Sequence, residues 1–266
     1  MNDYLDDSVS SLRLAVFLSV FLLLALFELL FPRRKLAESK VQRWSANIAI
    51  SVVNTILVRV TLPLAGVGMA LLAQEKNWGL INLLDVPAWL AIPVFLLLFD
   101  LAIYWQHRLF HKVPLLWRLH RMHHTDLDYD VTTGNRFHPA SILLSAVIKI
   151  GLVVVLGPSP VTILVAEIVL NITSMFNHSN IDIPAKIDRF LRFFIVTPDM
   201  HRIHHSVNGA EHNRNFGFNF PWWDRLFDTY LDQPAMQQQT MDIGIDGFRT
   251  DRSINPISLL LQPFQK

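Results

Sequence analysis

Cysteine is absent from all 266 residues of the chain. Without thiols the protein can form no disulfide framework and no iron–sulfur cluster, and it has no thiolate nucleophile and no Cys-ligated zinc site. Any metal ion that the protein binds must therefore be held by histidine, aspartate or glutamate.

The chain also has no large excess of positive or negative charge. Its 23 Lys and Arg residues almost balance its 22 Asp and Glu residues and leave a net charge of +1. Nucleic acid binding needs a concentrated basic surface, so this balance argues against a nucleic acid partner. Apolar side chains, by contrast, are abundant. They make up 52% of the residues, which is unusual for a soluble protein and favours an integral membrane protein that meets lipid.

The first long apolar run, residues 14–31, is long enough to span a bilayer as a helix. The segment before it is acidic, whereas the segment after it carries Arg33, Arg34 and Lys35. The positive-inside rule therefore places the end of this helix on the cytosolic side. Glu28 lies near that end, and we predict that it is an interfacial side chain.

Two more apolar runs, residues 46–72 and 87–104, take the chain outward and then inward again. Arg59 lies near the middle of the second run, where a charge needs a partner such as Glu28 or Asp100, or a water-filled cavity. The third run ends at two aromatic residues suited to the membrane interface, just before the first histidine. The histidines are therefore predicted to begin on the cytosolic side.

The fourth apolar region divides into residues 141–156 and 161–176 around a Gly-Pro-Ser-Pro turn, and each arm is short for a full crossing. We expect a helical hairpin, which returns the chain to the cytosolic face. Residues 187–196 form an amphipathic stretch suited to the membrane surface. The sequence thus predicts an all-α integral membrane protein with about three transmembrane helices, a helical hairpin and a cytosolic histidine-rich helical cap.

All eleven histidines lie between residues 107 and 212, which indicates one site. Residues spaced i, i+3 and i+4 share a helix face, so each of three clusters directs its imidazoles to one side. Imidazole binds divalent iron, zinc and copper, and eight such ligands exceed what one ion can use, so at least two metal ions are predicted. A candidate ninth ligand is His178. The clusters are His107 and His111, then His120, His123 and His124, and finally His201, His204 and His205.

Five further polar residues are weaker candidates. His138 and His212 stand alone, and each could bind metal or support another side chain. Asp100 lies two helical turns before the first histidine and could accept a hydrogen bond from a ligand ring, or pair with an arginine. Asn180 and Asn215 could support the ligands in the same way, or could be ordinary turn residues.

The clusters belong to longer motifs, namely Asp100-x3-Tyr104-Trp105-x-His107-Arg108-x2-His111, Leu116-Trp117-x2-His120-x2-His123-His124, Asn177-His178-Ser179-Asn180, Thr197-Pro198-x2-His201-x2-His204-His205, Asn215-Phe216-Gly217 and Trp223-Asp224-Arg225-Leu226-Phe227. In this combination, over about residues 92–230, the chain resembles the fatty acid hydroxylase/sterol desaturase superfamily. The resemblance implies a membrane enzyme with a non-haem centre of two iron ions, which uses O₂ to hydroxylate or desaturate a fatty acyl chain, sterol, ether lipid or carotenoid. Asp228 stands where the family commonly has glycine.

The same resemblance implies a set of metal ligands, with no catalytic residue separate from them. These ligands are His107, His111, His120, His123, His124, His178, His201, His204 and His205. It also divides the chain into an N-terminal transmembrane region (1–91), a fatty acid hydroxylase-like catalytic domain (92–232) and a C-terminal cytosolic tail (233–266).

No nucleotide or flavin motif is evident, so electrons are expected from a separate ferredoxin- or cytochrome-type donor. The predicted location is a bacterial inner membrane, or the endoplasmic reticulum of a eukaryote, with the metal site on the cytosolic face. A cationic face for the donor is predicted at Arg108, Arg118, Arg121 and Arg202.

Two other functions would also use a histidine-rich membrane protein. A zinc-dependent membrane hydrolase would carry a His-Glu-x-x-His helix, but that motif is missing and no carboxylate lies inside any cluster. A metal-binding transporter or sensor would tolerate looser spacing of its histidines than this sequence has.

Overall fold

The protein is all-helical. The computed structural model describes residues 2–249 and 254–265, and no strand forms within them. Two isolated β-bridges, Pro32 with Ile181 and Ser206 with Ile243, are the extended pairings among these residues. The predicted all-α class is confirmed.

The described residues form thirteen α-helices. Five of them are long and apolar enough to cross a membrane, which are residues Ser8–Leu30 of α1 together with α2, α5, α7 and α8. The helices are α1 (Asn2–Leu30), α2 (Lys40–Thr61), α3 (Val67–Glu75), α4 (Leu80–Leu83), α5 (Ala88–Lys112), α6 (Pro114–His124), α7 (Pro139–Leu156), α8 (Pro160–Asn177), α9 (Ala185–Leu191), α10 (Pro198–His204), α11 (Gly209–His212), α12 (Trp222–Leu226) and α13 (Pro256–Leu261).

The second apolar run is not one helix, so the predicted span at residues 46–72 is wrong. Helix α2 starts earlier, at Lys40, where the Ser39 side chain caps it, and ends at Thr61. Pro63 follows within two residues and Gly66 has a φ of 68°, so the helix cannot continue into α3. The apolar residues 62–72 therefore form a turn and the short helix α3.

Helix α5 continues past the predicted end of the third span at residue 104. It runs to Lys112, so that it carries His107 and His111, and its last hydrogen bond joins the Val113 N–H to the Leu109 carbonyl at 2.9 Å. The following residue is Pro114, which disfavours helical backbone at the residue before it. One helix thus leads from an apolar run directly into the first histidine cluster.

Helices α7 and α8 are the two arms of the expected hairpin. Each has 18 residues, about 27 Å of helix, and each is long and apolar enough to count as a candidate span. Gly157 ends α7 in the left-handed conformation, and the Ser159 side chain caps α8. The turn between the helices occurs where the sequence predicts it. The two arms, which were expected to be short for a full crossing, are each long enough to span a membrane.

The charges in the apolar runs do not pair as predicted. Glu28 is 5% exposed and accepts hydrogen bonds from the N–H groups of Val131 and Asn180, so the prediction of an interfacial side chain is wrong. Asp100 is fully buried and accepts hydrogen bonds from backbone N–H groups. Arg59 is exposed, and neither carboxylate is its partner.

An apolar core joins the long helices on the side of α5 that precedes its histidines. It contains Phe95, Phe99 and Ile103 of α5, packed on Val153 of α7 and Ile163 of α8. Lipid is as apolar as these side chains, so close van der Waals packing holds the helices together here. The core fixes α5 against α7 and α8. It thereby fixes the position of His107 and His111, which lie at the end of α5, relative to these two helices.

The C-terminal residues pack on the bundle. Leu259 of α13 is buried against Ala46 and Ile50 of α2 and Met122 of α6. Arg121 also donates hydrogen bonds to the carbonyl groups of Gln262 and Gln265. The end of the chain therefore supports α6, the helix that carries the second histidine cluster.

Candidate metal centre

The nine histidines that the sequence singled out come together as two groups. In each group, one ligand atom per residue can be chosen so that all chosen atoms lie within 4.8 Å of one another. The first histidine group contains His107, His111, His120, His124 and His204, and the second histidine group contains His123, His178, His201 and His205.

The two triplets each contribute to both groups. Helix α6 gives His120 and His124 to the first group and His123 to the second, whereas α10 and its cap residue give His204 to the first and His201 and His205 to the second. Spacing of i and i+4 keeps each pair on one helix face, and the remaining histidine faces the neighbouring group. The triplets of α6 and α10 are therefore two similar helical turns that meet across the centre.

Ring nitrogens face each other at distances typical of ligands around one metal ion. For a metal–nitrogen distance of about 2.1 Å, two imidazole ligands at right angles are separated by about 3.0 Å. The observed Nε2–Nε2 distances are 2.9 Å for His107 and His204, 3.1 Å for His111 and His124, 3.3 Å for His120 and His124, and 3.1 Å for His123 and His178.

Backbone carbonyl groups orient three of the rings. The Nδ1 atom of His107 lies 2.9 Å from the Phe216 oxygen, that of His204 lies 2.7 Å from the Arg214 oxygen, and that of His178 lies 2.7 Å from the Ser174 oxygen. A carbonyl only accepts, so Nδ1 carries the proton and Nε2 keeps a lone pair for a metal ion.

His205 has two buried ring nitrogens, and neither forms a hydrogen bond with another described residue. The Nδ1 atoms of His111, His120, His123 and His124 are likewise buried without a partner. Buried polar atoms are normally satisfied, because leaving one unpaired costs about 1–3 kcal/mol. A metal ion would satisfy one ring nitrogen of His205, and the donor set of neutral imidazoles suits a divalent transition metal.

Burial also sets the protonation state of the rings. It lowers the pKa of His178 to about 3, although the hydrogen bond to the Ser174 carbonyl opposes this shift. The pKa values of His123, His201 and His205 lie well below the usual histidine value, first because of burial and then because of neighbouring histidines. The imidazoles are therefore neutral near pH 7, which is the form that binds metal.

The two solitary histidines behave differently. His138 caps α7, where its Nδ1 accepts a hydrogen bond from the Ala140 N–H, and it belongs to neither group. His212 is also outside both groups, but its ring lies against those of His111 and His124, with centroids 4.8 and 4.6 Å away. Burial lowers the pKa of His212 to about 4. His212 therefore lines the first histidine group, whereas His138 is a helix cap.

Asp100 holds no imidazole, so the predicted contact with a ligand ring is wrong. Its oxygens accept hydrogen bonds from the N–H groups of Asn219 and Phe220 and from the Trp223 indole, at 2.8–3.1 Å. The loop that contains Asn219 and Phe220 also carries the Phe216 carbonyl that orients His107. Asp100 therefore acts on the site through the loop.

The two asparagines also lack contact with the rings through their side chains. The Asn180 side chain binds the backbone of Arg34, and the Asn215 side chain binds the backbone of Met200 and Leu231. Asn215 has a φ of 54°, a left-handed conformation that asparagine tolerates better than most residues. Asn180 thus ties the segment after His178 to the connection between α1 and α2, and Asn215 ties α10 to the chain at Leu231.

Asp224 is a supporting residue whose role the sequence did not reveal. Its carboxylate accepts hydrogen bonds from the N–H groups of Phe216 and Gly217 and from the Thr229 hydroxyl, at 2.7–2.8 Å. Burial raises the pKa of Asp224 to about 6, against the effect of these hydrogen bonds. A side chain at position 217 would overlap the carboxylate, which explains the glycine in the Asn-Phe-Gly motif. The sequence signal that could have identified Asp224 is its place in the Trp-Asp-Arg-Leu-Phe motif.

Aromatic rings cover the second histidine group, and these were also missed. Phe137 stacks on His123 with ring centroids 4.4 Å apart, and Tyr129 packs on His178 and His205. No spacing rule connects these residues to the histidines, so nothing in the sequence marked them. They shield the rings from water.

The predicted cationic face for an electron donor is wrong in part. Arg202 is fully buried and binds Asp199 and Gln238, and Arg121 is 7% exposed and binds backbone carbonyl groups near the C-terminus. Arg118 is exposed and Arg108 is half-buried. Two of the four arginines thus serve the interior of the protein.

Comparison with known proteins agrees with this geometry. The model of the fatty acid hydroxylase family matches residues 92–229. Ornithine lipid hydroxylase OlsE of Rhizobium tropici is 27% identical over 260 residues, which are 94% of this chain and 75% of that protein.

Two animal enzymes match a shorter stretch. Human alkylglycerol monooxygenase is 28% identical over 58% of this chain and 34% of its own length. Cholesterol 25-hydroxylase of Rattus norvegicus is 32% identical over 54% of this chain and 47% of its own length. No solved structure shows a significant match to the chain.

Proposed function

The chain belongs to the fatty acid hydroxylase family, and from this premise we propose that it is a membrane enzyme that uses O₂ to hydroxylate or desaturate a lipid. Relatives whose alignments cover 54–94% of this chain are named as hydroxylases or monooxygenases of ornithine lipid, alkylglycerol and cholesterol. The substrate is therefore a lipid, for which fatty acyl, sterol, ether lipid and carotenoid chains are the candidates.

The convergence of nine imidazoles into two groups is the observation that carries this proposal. We assign one metal ion to each histidine group, and we assign iron to both. Bound there, the two iron ions would supply the activation of O₂ and the abstraction of a hydrogen atom from an unactivated C–H bond, which acids and bases cannot attack.

The protein's own residues hold the metal-binding atoms in place and keep water out. Protons held at Nδ1 of His107, His178 and His204 face backbone carbonyl groups, so each Nε2 lone pair stays free. Phe137 and Tyr129 cover the second histidine group, as described above. A dry, rigid site of this kind protects a strong oxidant from side reactions.

The reaction needs external electrons. In hydroxylation, one oxygen atom of O₂ enters a C–H bond of the lipid, and the other leaves as water after uptake of two electrons and two protons. In desaturation both oxygen atoms leave as water and the lipid loses two hydrogen atoms. We propose a ferredoxin- or cytochrome-type protein as the donor, because the sequence has no motif for a bound nucleotide or flavin.

We propose that the metal centre lies on the cytosolic face. The support is the basic segment after α1, and the even number of passes made by α7 and α8, which returns His178 to the face that carries the other histidines. In the domain division that we propose, residues 1–91 are a transmembrane region, 92–232 the catalytic domain and 233–266 a cytosolic tail.

Neither alternative gains support. A zinc hydrolase needs a carboxylate base beside the metal, but both groups consist of histidines alone. A metal transporter or sensor does not need rings that are buried and individually oriented, and the comparisons give oxygenases.

Isotope labelling tests the function directly. Cells that express the protein or its His204→Ala variant are grown under ¹⁸O₂, and their lipids are compared by mass spectrometry. We expect a lipid that gains one ¹⁸O, or that loses two hydrogen atoms, in the wild-type strain alone. If an iron-loaded wild-type strain shows no lipid change of either kind, the proposal is wrong.

A further inference from the structure

Residues 28–43, from the end of α1 to the start of α2, contact every segment that carries a member of the second histidine group. This α1–α2 segment lies outside residues 92–229, which match the family. Three sets of contacts join this N-terminal segment to the chain beside the metal centre.

The first contact involves Glu28 and holds the segment after His178. One carboxylate oxygen, Oε1, accepts hydrogen bonds from the N–H groups of Val131 and Asn180, at 2.7 and 2.8 Å. Asn180, two residues after His178, also exchanges hydrogen bonds with the backbone of Arg34, at 3.1 and 2.8 Å. Both N–H groups depend on this oxygen, because a buried N–H group left without a partner costs about 1–3 kcal/mol.

The second contact involves Arg33 and holds the start of α10. The guanidinium binds both oxygens of Asp199, with Nε and Nη2 at 3.1 and 2.7 Å. Asp199 precedes His201 by two residues and is 9% exposed. Such a bidentate pair fixes orientation as well as position. A second partner of Arg33, Asp182, lies on the exposed side at 2.7 Å.

The third contact holds the loop after His123. Arg43 is fully buried and binds both oxygens of Asp126 at 2.8 Å and one oxygen of Asp130 at 2.5 Å. The N–H groups of Ala37 and Glu38 donate to Asp128, at 2.9 and 2.7 Å. A single short stretch thus ties three loops that are far apart in sequence.

The first histidine group has other supports. His107 is oriented by the Phe216 carbonyl and His204 by the Arg214 carbonyl, and Asp224 fixes the Phe216 backbone. Among the described residues, no hydrogen bond or ion pair joins residues 28–43 to α5, α11 or α12. His178 and His201 are members of the second group. Each lies two residues from a residue that the segment contacts, Asn180 for Glu28 and Asp199 for Arg33.

We propose that the α1–α2 segment is a positioning element for the second histidine group, with Glu28 and Arg33 as its decisive side chains. The inference rests on the two-metal site proposed above. It follows that loss of either side chain weakens metal binding at the second group more than at the first. Loss of a direct hydrogen-bond partner of a ligand lowers metal affinity by about 10- to 100-fold, and we expect the lower end of this range because Glu28 and Arg33 act through the backbone.

The test compares paired variants of the full-length protein in detergent. Glu28→Ala removes both hydrogen bonds, whereas Glu28→Gln keeps an oxygen that can accept them. Arg33→Ala removes the pair with Asp199, whereas Asp182→Asn removes only the exposed partner of Arg33. Metal-free protein is titrated anaerobically with Fe²⁺, and bound iron is counted. After oxidation, electron paramagnetic resonance detects isolated ferric ions, which a coupled pair does not show.

We expect two iron ions in the wild type, Glu28→Gln and Asp182→Asn, and a weakened second ion with an isolated-ion signal in Glu28→Ala and Arg33→Ala. Unchanged binding of both ions in Glu28→Ala and Arg33→Ala would overturn the inference, as would equal weakening of both ions. If Glu28→Ala does not fold, the Arg33 pair decides. A wild type that binds fewer than two ions would instead overturn the two-metal proposal on which the inference rests.

Discussion

Eight of the nine clustered histidines are buried and His111 is half-buried, and the burial of their rings has a cost. Each ring nitrogen removed from water needs a partner, and carbonyl groups supply one for His107, His178 and His204. For His205 no such partner exists among the described residues. The metal ion that we propose for each group would explain why so many neutral imidazoles are kept together in a dry interior.

Substitution of single histidines should separate ligands from the helix cap. His120→Ala and His204→Ala each remove a ring from the first histidine group, and we expect both to abolish activity while the protein still inserts into membranes. His138→Ala is the matched control, because it removes a cap that contributes about 0.5–2 kcal/mol and leaves both groups intact. Turnover of the lipid substrate and membrane fractionation measure these effects. Full turnover by either ligand variant would contradict the assignment.

Asp228→Gly should stabilise the protein. Asp228 is exposed and has a φ of 55°, a conformation that costs most residues about 1–2 kcal/mol but costs glycine nothing. Glycine loses more chain entropy on folding, so the expected net gain is up to about 1 kcal/mol. A higher melting temperature in detergent would confirm the effect, and a lower one would show that the aspartate side chain makes a compensating contact.

At the scale of helices, the sequence predicted the periodic and apolar features well. The turn at residues 157–160 occurs where the sequence placed it, whereas the histidine triplets of α6 and α10 each divide between the two histidine groups. The end of α2 was missed because hydropathy does not register the break at Pro63. The burial of Glu28 could not be predicted, because its partners, Val131 and Asn180, are more than a hundred residues away.

The contact between the start of α4 and the end of α7 should tolerate no side chain. A Cβ atom at Gly79 would overlap the backbone of Gly157, and both glycines have positive φ values of 90° and 64°. We expect Gly79→Ala to lower the melting temperature markedly. Gly151→Ala is the control, since nothing lies within 4 Å of its added Cβ and alanine favours a helix by about 1 kcal/mol. Equal melting temperatures for the two variants would argue against this packing.

For the whole molecule, the absence of cysteine makes the proposed orientation easy to test. Lys186 lies just within α9, and Lys76 follows α3, and both are exposed. With single cysteines at these positions, a maleimide that cannot cross membranes should label Lys76→Cys in intact cells and Lys186→Cys only in inverted vesicles. Labelling of Lys186→Cys from outside intact cells would reverse the proposed topology.

The metal content of the purified protein tests the central claim most directly. Protein purified anaerobically from an iron-replete host, without chelators, should contain about two iron ions per chain, one for each histidine group. Substitution of His205 by alanine should reduce this content, whereas His138→Ala should not. Zinc as the sole metal in the wild-type protein, under the same conditions, would contradict the account.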